Sequence, residues 1–424
     1  MKPSLLRIAA TATATAALLF DHGICAAVVG SGTVAHAKRQ TSTIDRSTLN
    51  GKLFVGYQGW FRKPNTDDGN SHWTTDTPEP EVGHVGVDMI PDVTGYPEDC
   101  LFDTVFTLPD GNPAQFYSND CDGVVDLHFS MMADHGIDGA FVQRFFFYPS
   151  EEPNGGWNRV LENAKDAAFK YGRGLVIEYD LNGAPSAPGS SVVADTILAD
   201  LASLSDVLGS PVYMHHGGKP VVEVWGVGIV TAVSADDAAA LVTALQAAGY
   251  YVILGVQQAW HAELAAGQPG GYGPVYALAD MLQPWTVGAY DRDGYPGFRD
   301  GRQATEDKAA LAALGIESSV VVWPGGSNSN AAGDPAAFDR FPRWNGTFYQ
   351  DQLDGAVDVV RPSFIFGAMF DEVNEGTAIY PVLKRAQLPT NQRFLGVDDD
   401  LAPDAYLTMA GDAAARLAQV WASA

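Results

Sequence analysis

Apolar residues recur along this chain in short runs separated by longer amphipathic segments. The runs LFVGY (53–57), GAFVQRFFF (139–147), GLVIEY (174–179), PVVEVW (220–225), YYVILGV (250–256), MLQPWTVG (281–288), SVVVW (319–323) and FIFGAMF (364–370) are rich in β-branched and aromatic residues. Each is bounded by turn formers and reads as a strand. Between the runs, apolar positions at helical spacing predict helices over residues 124–135, 157–171, 192–208, 235–248, 305–314 and 348–359, with a last one over 403–422. Strand and helix alternating eight times is the pattern of a (β/α)8 TIM barrel, an α/β fold in one domain, here residues 51–424. A doubly wound open sheet is the rival arrangement, but no GxGxxG turn follows the first strand.

The pattern breaks in two places. Residues 1–37 place Lys2 and Arg7 before an apolar Ala/Thr-rich stretch, with the small-x-small sequence Ala35-His36-Ala37 at the end. They are expected to be a signal peptide or pro-segment, followed by a lead-in over 38–50, so the protein is expected to be secreted. The second break is the long connection from Phe61 to Asp122, between the first strand and the first helix. Loops of that length in a compact domain are uncommon unless they are functional or disordered. On a barrel this one lies at the C-terminal ends of the strands, where active sites are built. It contains Cys100 and Cys121, an even pair in an exported chain, which is expected to be a disulfide.

If the barrel is right, the strand ends name the candidate site. They carry Tyr57 and Trp60 after the first strand, Arg144 after the second, Glu178 and Asp180 after the third, and Trp225 after the fourth. Gln257 and Trp260 follow the fifth, Asp291 the sixth and Trp323 the seventh. After the eighth comes Asp371-Glu372-Val373-Asn374-Glu375, in which Glu372 and Glu375 point to the same side if a helical turn begins after the strand. Carboxylates interleaved with flat rings suit a sugar site, because rings stack on pyranose faces while acids bond hydroxyls and move protons. Each candidate also has a plainer reading. The acids after the last strand favour a helix N-terminus, Glu178 and Asp180 could form a buried ion pair with Arg144, Glu223 could be a satisfied core carboxylate, and a tryptophan is as often packing as platform.

The segment FDEVNEGTAIYP (370–381) resembles the strand-end motif of glycoside hydrolase family 99, the endo-acting α-mannosidases, and more loosely that of family 71, the α-1,3-glucanases. Glu372, Glu375, Gly376 and Thr377 carry the likeness. VGYQGWF at the start, residues 128–145, GKPVVEVWG (218–226) and residues 394–417 agree with it in order. Val373 and Asn374 depart from the aromatic and His or Gly residues of the family, and Tyr380 stands where the family has an acid. The resemblance implies a retaining mechanism without a protein nucleophile. Glu372 would take the proton of the substrate 2-hydroxyl, which attacks the anomeric carbon, and Glu375 would be the general acid and then base.

The expected function is therefore a secreted glycosidase cleaving α-linked, mannan- or glucan-like neutral glycans, with Asn374 beside the catalytic pair as a further contact. A catalytically inactive carbohydrate-binding barrel, an α-1,3-glucanase-like enzyme and a xylosidase- or arabinosidase-type hydrolase are the alternatives. The formal net charge of -26 argues against nucleic acid as a partner and against strongly anionic glycans as substrate. No apolar run reaches the length of a membrane span, and a monomer with an oligo- or polysaccharide substrate is expected. No cofactor is expected. His72 and the pair His215-His216 lack the spacing of a metal site, so no metal is assigned, and the calcium-loop likeness of residues 119–123 lacks the rest of that loop. The one glycosylation sequon is Asn345-Gly346-Thr347.

Overall fold

The structure is a computed structural model that describes residues 43–64, 71–146, 156–268 and 270–423. Its strands are β1 (Lys52–Tyr57), β2 (Leu101–Thr107), β3 (Pro113–Tyr117), β4 (Gly139–Phe145), β5 (Gly174–Asp180), β6 (His215–His216), β7 (Lys219–Val227), β8 (Tyr251–Gln257), β9 (Met281–Trp285), β10 (Glu317–Val322) and β11 (Phe364–Gly367). Eight of them form a closed parallel barrel in the order β1, β4, β5, β7, β8, β9, β10, β11 and back to β1. Val55 marks the closure, pairing with Gly367 on one side and Ala140 on the other. Each of the eight predicted runs overlaps one of these barrel strands, and those over 281–288 and 364–370 overrun it by three residues. The predicted signal segment and Phe147 fall outside the described residues.

The strands read as near-continuous apolar runs because both their faces are buried. Phe54, Phe141, Val176, Val221, Ile253, Met281, Val321 and Phe364, one from each strand, meet inside the barrel. The alternate residues, among them Val55, Val142, Ile177, Val222, Leu254 and Ile365, pack outward in a separate cluster with the helices. Gly255 is required in this wall, since a Cβ there would stand 2.7 Å from Cδ1 of Trp225.

Helices over Asp122–His135, Gly156–Tyr171, Val192–Ser203, Ala235–Ala247, Lys308–Leu314, Thr347–Gly355 and Ala405–Ala422 match the predicted ones in place. Three differ in detail, the one expected over 348–359 continuing past Gly355 as a π-helical stretch, Ala356–Val360. The helix expected over 192–208 divides at Leu204, and that expected over 305–314 is preceded by a π-helical stretch, Phe298–Asp307. No described helix is long and apolar enough to cross a membrane.

The long connection after β1 is ordered by its own hairpin, β2 with β3, and by a Cys100–Cys121 disulfide across 21 residues. Closing a loop of that size stabilises by roughly 3 kcal/mol in the chain-entropy view. Beneath it lies a polar seam. Asn119 Nδ2 donates to the Tyr57 hydroxyl (3.1 Å), which lies 2.9 Å from His128 Nδ1, while His128 Nε2 lies 2.8 Å from the Tyr96 hydroxyl. Burial lowers the His128 pKa to about 3, so the ring is neutral. Tyr57, already an acceptor, donates to Nδ1, and Nε2–H donates to Tyr96. Asn119 and Asp120, the core of the calcium-like sequence, are used here and against Arg62 and Arg159.

At the opposite end β6 closes the barrel floor. The N–H of Leu49 donates to His216 Nδ1, so Nε2 carries the proton and donates to Glu317 Oε2 at 2.8 Å. That is a structural use of the histidine pair on the face of the barrel associated with stability.

Candidate active site

β11 ends at Gly367, and the chain then turns over the barrel mouth through Asp371, Glu372 and Glu375. Three supports hold this turn. Asp371 accepts the N–H groups of Gln58 (Oδ1) and Gly59 (Oδ2), each at 2.9 Å, tying the last strand end to the first. The Val373 carbonyl accepts the N–H groups of Asp88 and Met89 from the long connection. Arg343 donates through Nη2 to the carbonyls of Gly376 (2.9 Å) and Ala378 (2.6 Å). Gly376 has φ +68°, and a Cβ there would meet Ser327 N at 2.7 Å, so only glycine fits this turn. Ser327 N–H in turn donates to the Glu375 carbonyl at 2.8 Å.

Glu372 is 6 % exposed. Gln58 Nε2 donates to its Oε1 at 3.0 Å and Thr377 Oγ1 to its Oε2 at 2.7 Å, so both oxygens accept. Burial, then the neighbouring Glu375 carboxylate, push its pKa well above the ordinary value, against the pull of Thr377 and Gln58. Glu375 is exposed at the mouth, yet enough protein surrounds it to raise its pKa as well. Asp371 is raised to about 6 by burial, with its two backbone donors opposing.

Below the turn, one step up from the apolar interior, runs a polar layer. Gln143 Nε2 donates to Glu178 Oε1 (3.1 Å), Gln283 Nε2 to Glu223 Oε1 (2.5 Å), and Ser319 Oγ to Gln283 Oε1 (2.8 Å). Glu178 and Glu223 are partners in the β5/β7 register and both are fully buried. Burial and then the Glu223 charge raise Glu178, and burial raises Glu223, so two carboxyls side by side favour holding a proton. Asp180, raised to about 6 by burial, accepts the N–H of Asn182 at 2.7 Å. Over this layer stand Trp225 and Trp285, both half-buried, edge to face at 5.5 Å.

The structure brings Glu372, Glu375, Asn374, Glu178, Asp180 and Trp225 to this end of the barrel interior. The carboxamide oxygen of Asn374, between the two glutamates, has no hydrogen-bond partner among the described residues. Other candidates are corrected by their surroundings. Arg144 points outward, where it grips Asp200 through Nε (2.7 Å) and Nη2 (2.6 Å) and bonds Asn158, so its ion pair is with a helix and not with Glu178 or Asp180. Tyr57 is sealed in the seam described above. Trp260 and Trp323 have no exposed surface; Trp323 lies edge-on to Phe341 and Phe348. Trp60 is stacked against His72 at 4.0 Å and Phe145 at 5.2 Å, leaving it 8 % exposed. Gln257 donates to Glu263 at 2.6 Å, and exposed Asp291 accepts the N–H of Gly294 within its own turn. Tyr380 packs on Phe370 and lies 3.2 Å from the Tyr117 hydroxyl.

The strand-end residues Gln58, Gln143 and Asp371 and the motif residue Thr377 also supply the mouth, and so do Gln283 and Trp285, which sequence reasoning did not single out. Once the closed barrel fixes the interior face, parity accounts for Gln58, Gln143, Gln283 and Trp285, each an even number of positions from an interior residue. A separate cavity of 310 Å³, lined by Ser318, Ser363 and Trp421 among others, lies by the N-terminal ends of β10 and β11, away from these groups.

No protein-family model matches the sequence, and no curated protein matches it. Solved structures do. The GH99 endo-α-mannosidase from Bacteroides thetaiotaomicron superposes with a TM-score of 0.63 at 16% identity, covering 88% of this chain and 100% of that one. A structure of that endo-α-mannosidase in complex with bis-tris propane gives 0.62 at 16% identity, covering 89% and 100%. A glycoside hydrolase-like protein gives 0.52 at 11% identity, covering 89% and 97%. At these identities the likeness shows the shared barrel fold, and function is argued from the site.

Proposed function

We propose that this protein is an exported glycoside hydrolase that cleaves α-linked neutral glycans with retention of configuration. The observation that carries the reading is the pair Glu372 and Glu375 on one braced turn at the barrel mouth, above half-buried tryptophans and a buried carboxyl layer. Two neighbouring carboxyls, both raised by burial, disfavour being charged together. Glu372, with both oxygens accepting, is arranged as the carboxylate; Glu375, open to the mouth, is placed to carry the proton. The resemblance of residues 370–381 to family 99 and the similarity of the fold to an endo-α-mannosidase support the same roles.

The steps balance without a protein nucleophile. Glu375 gives its proton to the glycosidic oxygen as that bond breaks, while Glu372 takes the proton of the 2-hydroxyl and O2 bonds to C1, forming a 1,2-anhydro sugar. Glu375 then removes a proton from water, whose oxygen attacks C1, and Glu372 returns its proton to O2. Two inversions give net retention. The acidity of the chain favours neutral substrates, and the disulfide fits an oxidising, extracellular compartment.

The test is a panel of α-linked manno- and gluco-oligosaccharides, with products followed by mass and anomeric NMR. Retained products are expected, together with binding but no turnover of a 2-deoxy analogue. Inverted products or efficient turnover of the analogue would overturn the mechanism, and cleavage of no neutral glycan would overturn the activity.

A further inference from the structure

Outside the mouth, a cavity of 380 Å³ opens on the barrel rim between the segment 339–345 and the segment 385–398. Trp344 lines it at 52 % exposure, the one exposed tryptophan among the described residues. The Arg292 guanidinium, outside the cavity lining, lies over one face of its ring at 5.3 Å. Among the described residues, three of the four non-glycine residues with positive φ line this same cavity: Asp339 (49°), Trp344 (51°) and Asn345 (52°). A left-handed backbone is unfavourable for a bulky residue, and such conformations cluster where side chains are held out for a ligand.

The remaining lining defines the ligand's chemistry. Asp339 is half-buried, and its carboxylate accepts no hydrogen bond among the described residues, so its oxygens are open to hydroxyl donors. Asp398 is bonded by Arg385 at 2.6 Å, and Arg343 adds a second guanidinium, so acids and bases balance within a strongly acidic protein. An exposed indole beside a charge-balanced set of carboxylate, amide and guanidinium groups suits a neutral, hydroxyl-rich ring. It does not suit an anion or an apolar chain. The cavity also adjoins the catalytic turn, because its wall residue Arg343 holds the carbonyls of Gly376 and Ala378 directly after Glu375.

We infer that this cavity is a second glycan-binding site, with Trp344 as its stacking platform, that holds a neutral polysaccharide chain beside the mouth. The inference rests on the glycosidase reading and extends it from oligosaccharide units to polymeric substrate. The probe is a soluble neutral α-glycan polymer bound to the Glu375→Gln protein, which does not consume it. Adding Trp344→Ala is expected to raise the Kd about tenfold, with Trp344→Phe recovering most of the affinity and Asp339→Asn giving a smaller loss. In the otherwise wild-type protein, Trp344→Ala is expected to lower kcat/KM on the polymer while leaving a short oligosaccharide unaffected.

Equal polymer affinity in the presence and absence of Trp344, or no polymer binding by Glu375→Gln, would overturn the second site. Turnover of the short oligosaccharide by the wild-type protein judges the glycosidase reading separately. A folding defect would announce itself as loss of that short-substrate activity together with a lowered Tm, and the Phe and Asn variants then decide the matter.

Discussion

Gln58, one residue past the first barrel strand, donates its side-chain amide to Glu372, past the last, at 3.0 Å across 314 positions of sequence. The same neighbourhood is bonded a second time through Asp371 and the backbone of Gln58 and Gly59. The closure of the barrel is thus what orients the buried glutamate, and a hydrogen bond to a charged group is worth about 1.5–3 kcal/mol.

Replacing Gln58 with Leu is therefore expected to lower kcat about 10- to 100-fold with little change in KM. Gln58 lowers the Glu372 pKa, so its loss moves the acidic limb of the pH profile to higher pH. Steady-state kinetics across pH check both; an unmoved limb would remove Gln58 from this role.

Glu375→Gln is expected to reduce turnover of a natural glycan by at least about 100-fold while binding persists, since it removes the proton donor and leaves the surrounding contacts in place. Glu372→Gln should be similarly inactive. Calorimetry with the intact glycan and product analysis by mass separate binding from chemistry, and near wild-type hydrolysis by either variant would sink the assignment.

Arg144→Ala is expected to destabilise the fold by about 3–5 kcal/mol, because it leaves Asp200 charged and buried beside Tyr179, whose hydroxyl donates to it at 2.6 Å. KM of the folded fraction should not change. Urea melts and kinetics on one preparation test this, and a raised KM at unchanged stability would return Arg144 to the substrate site.

Stability is expected to peak below neutral pH. Burial raises Asp138, Asp180 and Asp371 to about 6 and Asp307 to about 7, above an ordinary value of 3.8. The folded state therefore binds these protons more tightly, and their contribution is lost as pH rises through 6 to 7. His72 and His128, lowered by burial to about 4 and about 3, act oppositely, their contribution falling away as pH drops below 6.5. Glu178, Glu223 and Glu372 add to the carboxyl side. Calorimetric Tm should be higher at about pH 5.5 than at about pH 8; the reverse order would contradict the carboxyl balance.

The order of strands and helices was legible in the sequence because each barrel strand is buried on both faces and each helix on one, which leaves distinct periodicities. The acid-rich turn after the last strand was legible too, as a dense polar cluster after an apolar run. Which strand-end residues face inward was not. In GAFVQRF the neighbours Gln143 and Arg144 are both polar, and only the closed barrel shows that Gln143 follows Phe141 inward while Arg144 meets Asp200 outside. Tyr57 and Gln58 divide in the same way, whereas Trp323 shares the inward parity of Trp225 and Trp285 and is buried because Phe341 and Phe348 cover it. A strand with two apolar faces carries no mark of which face is the inside. That choice is made by long-range closure, when Val55 finds both Ala140 and Gly367 and fixes the parity of all eight strands at once.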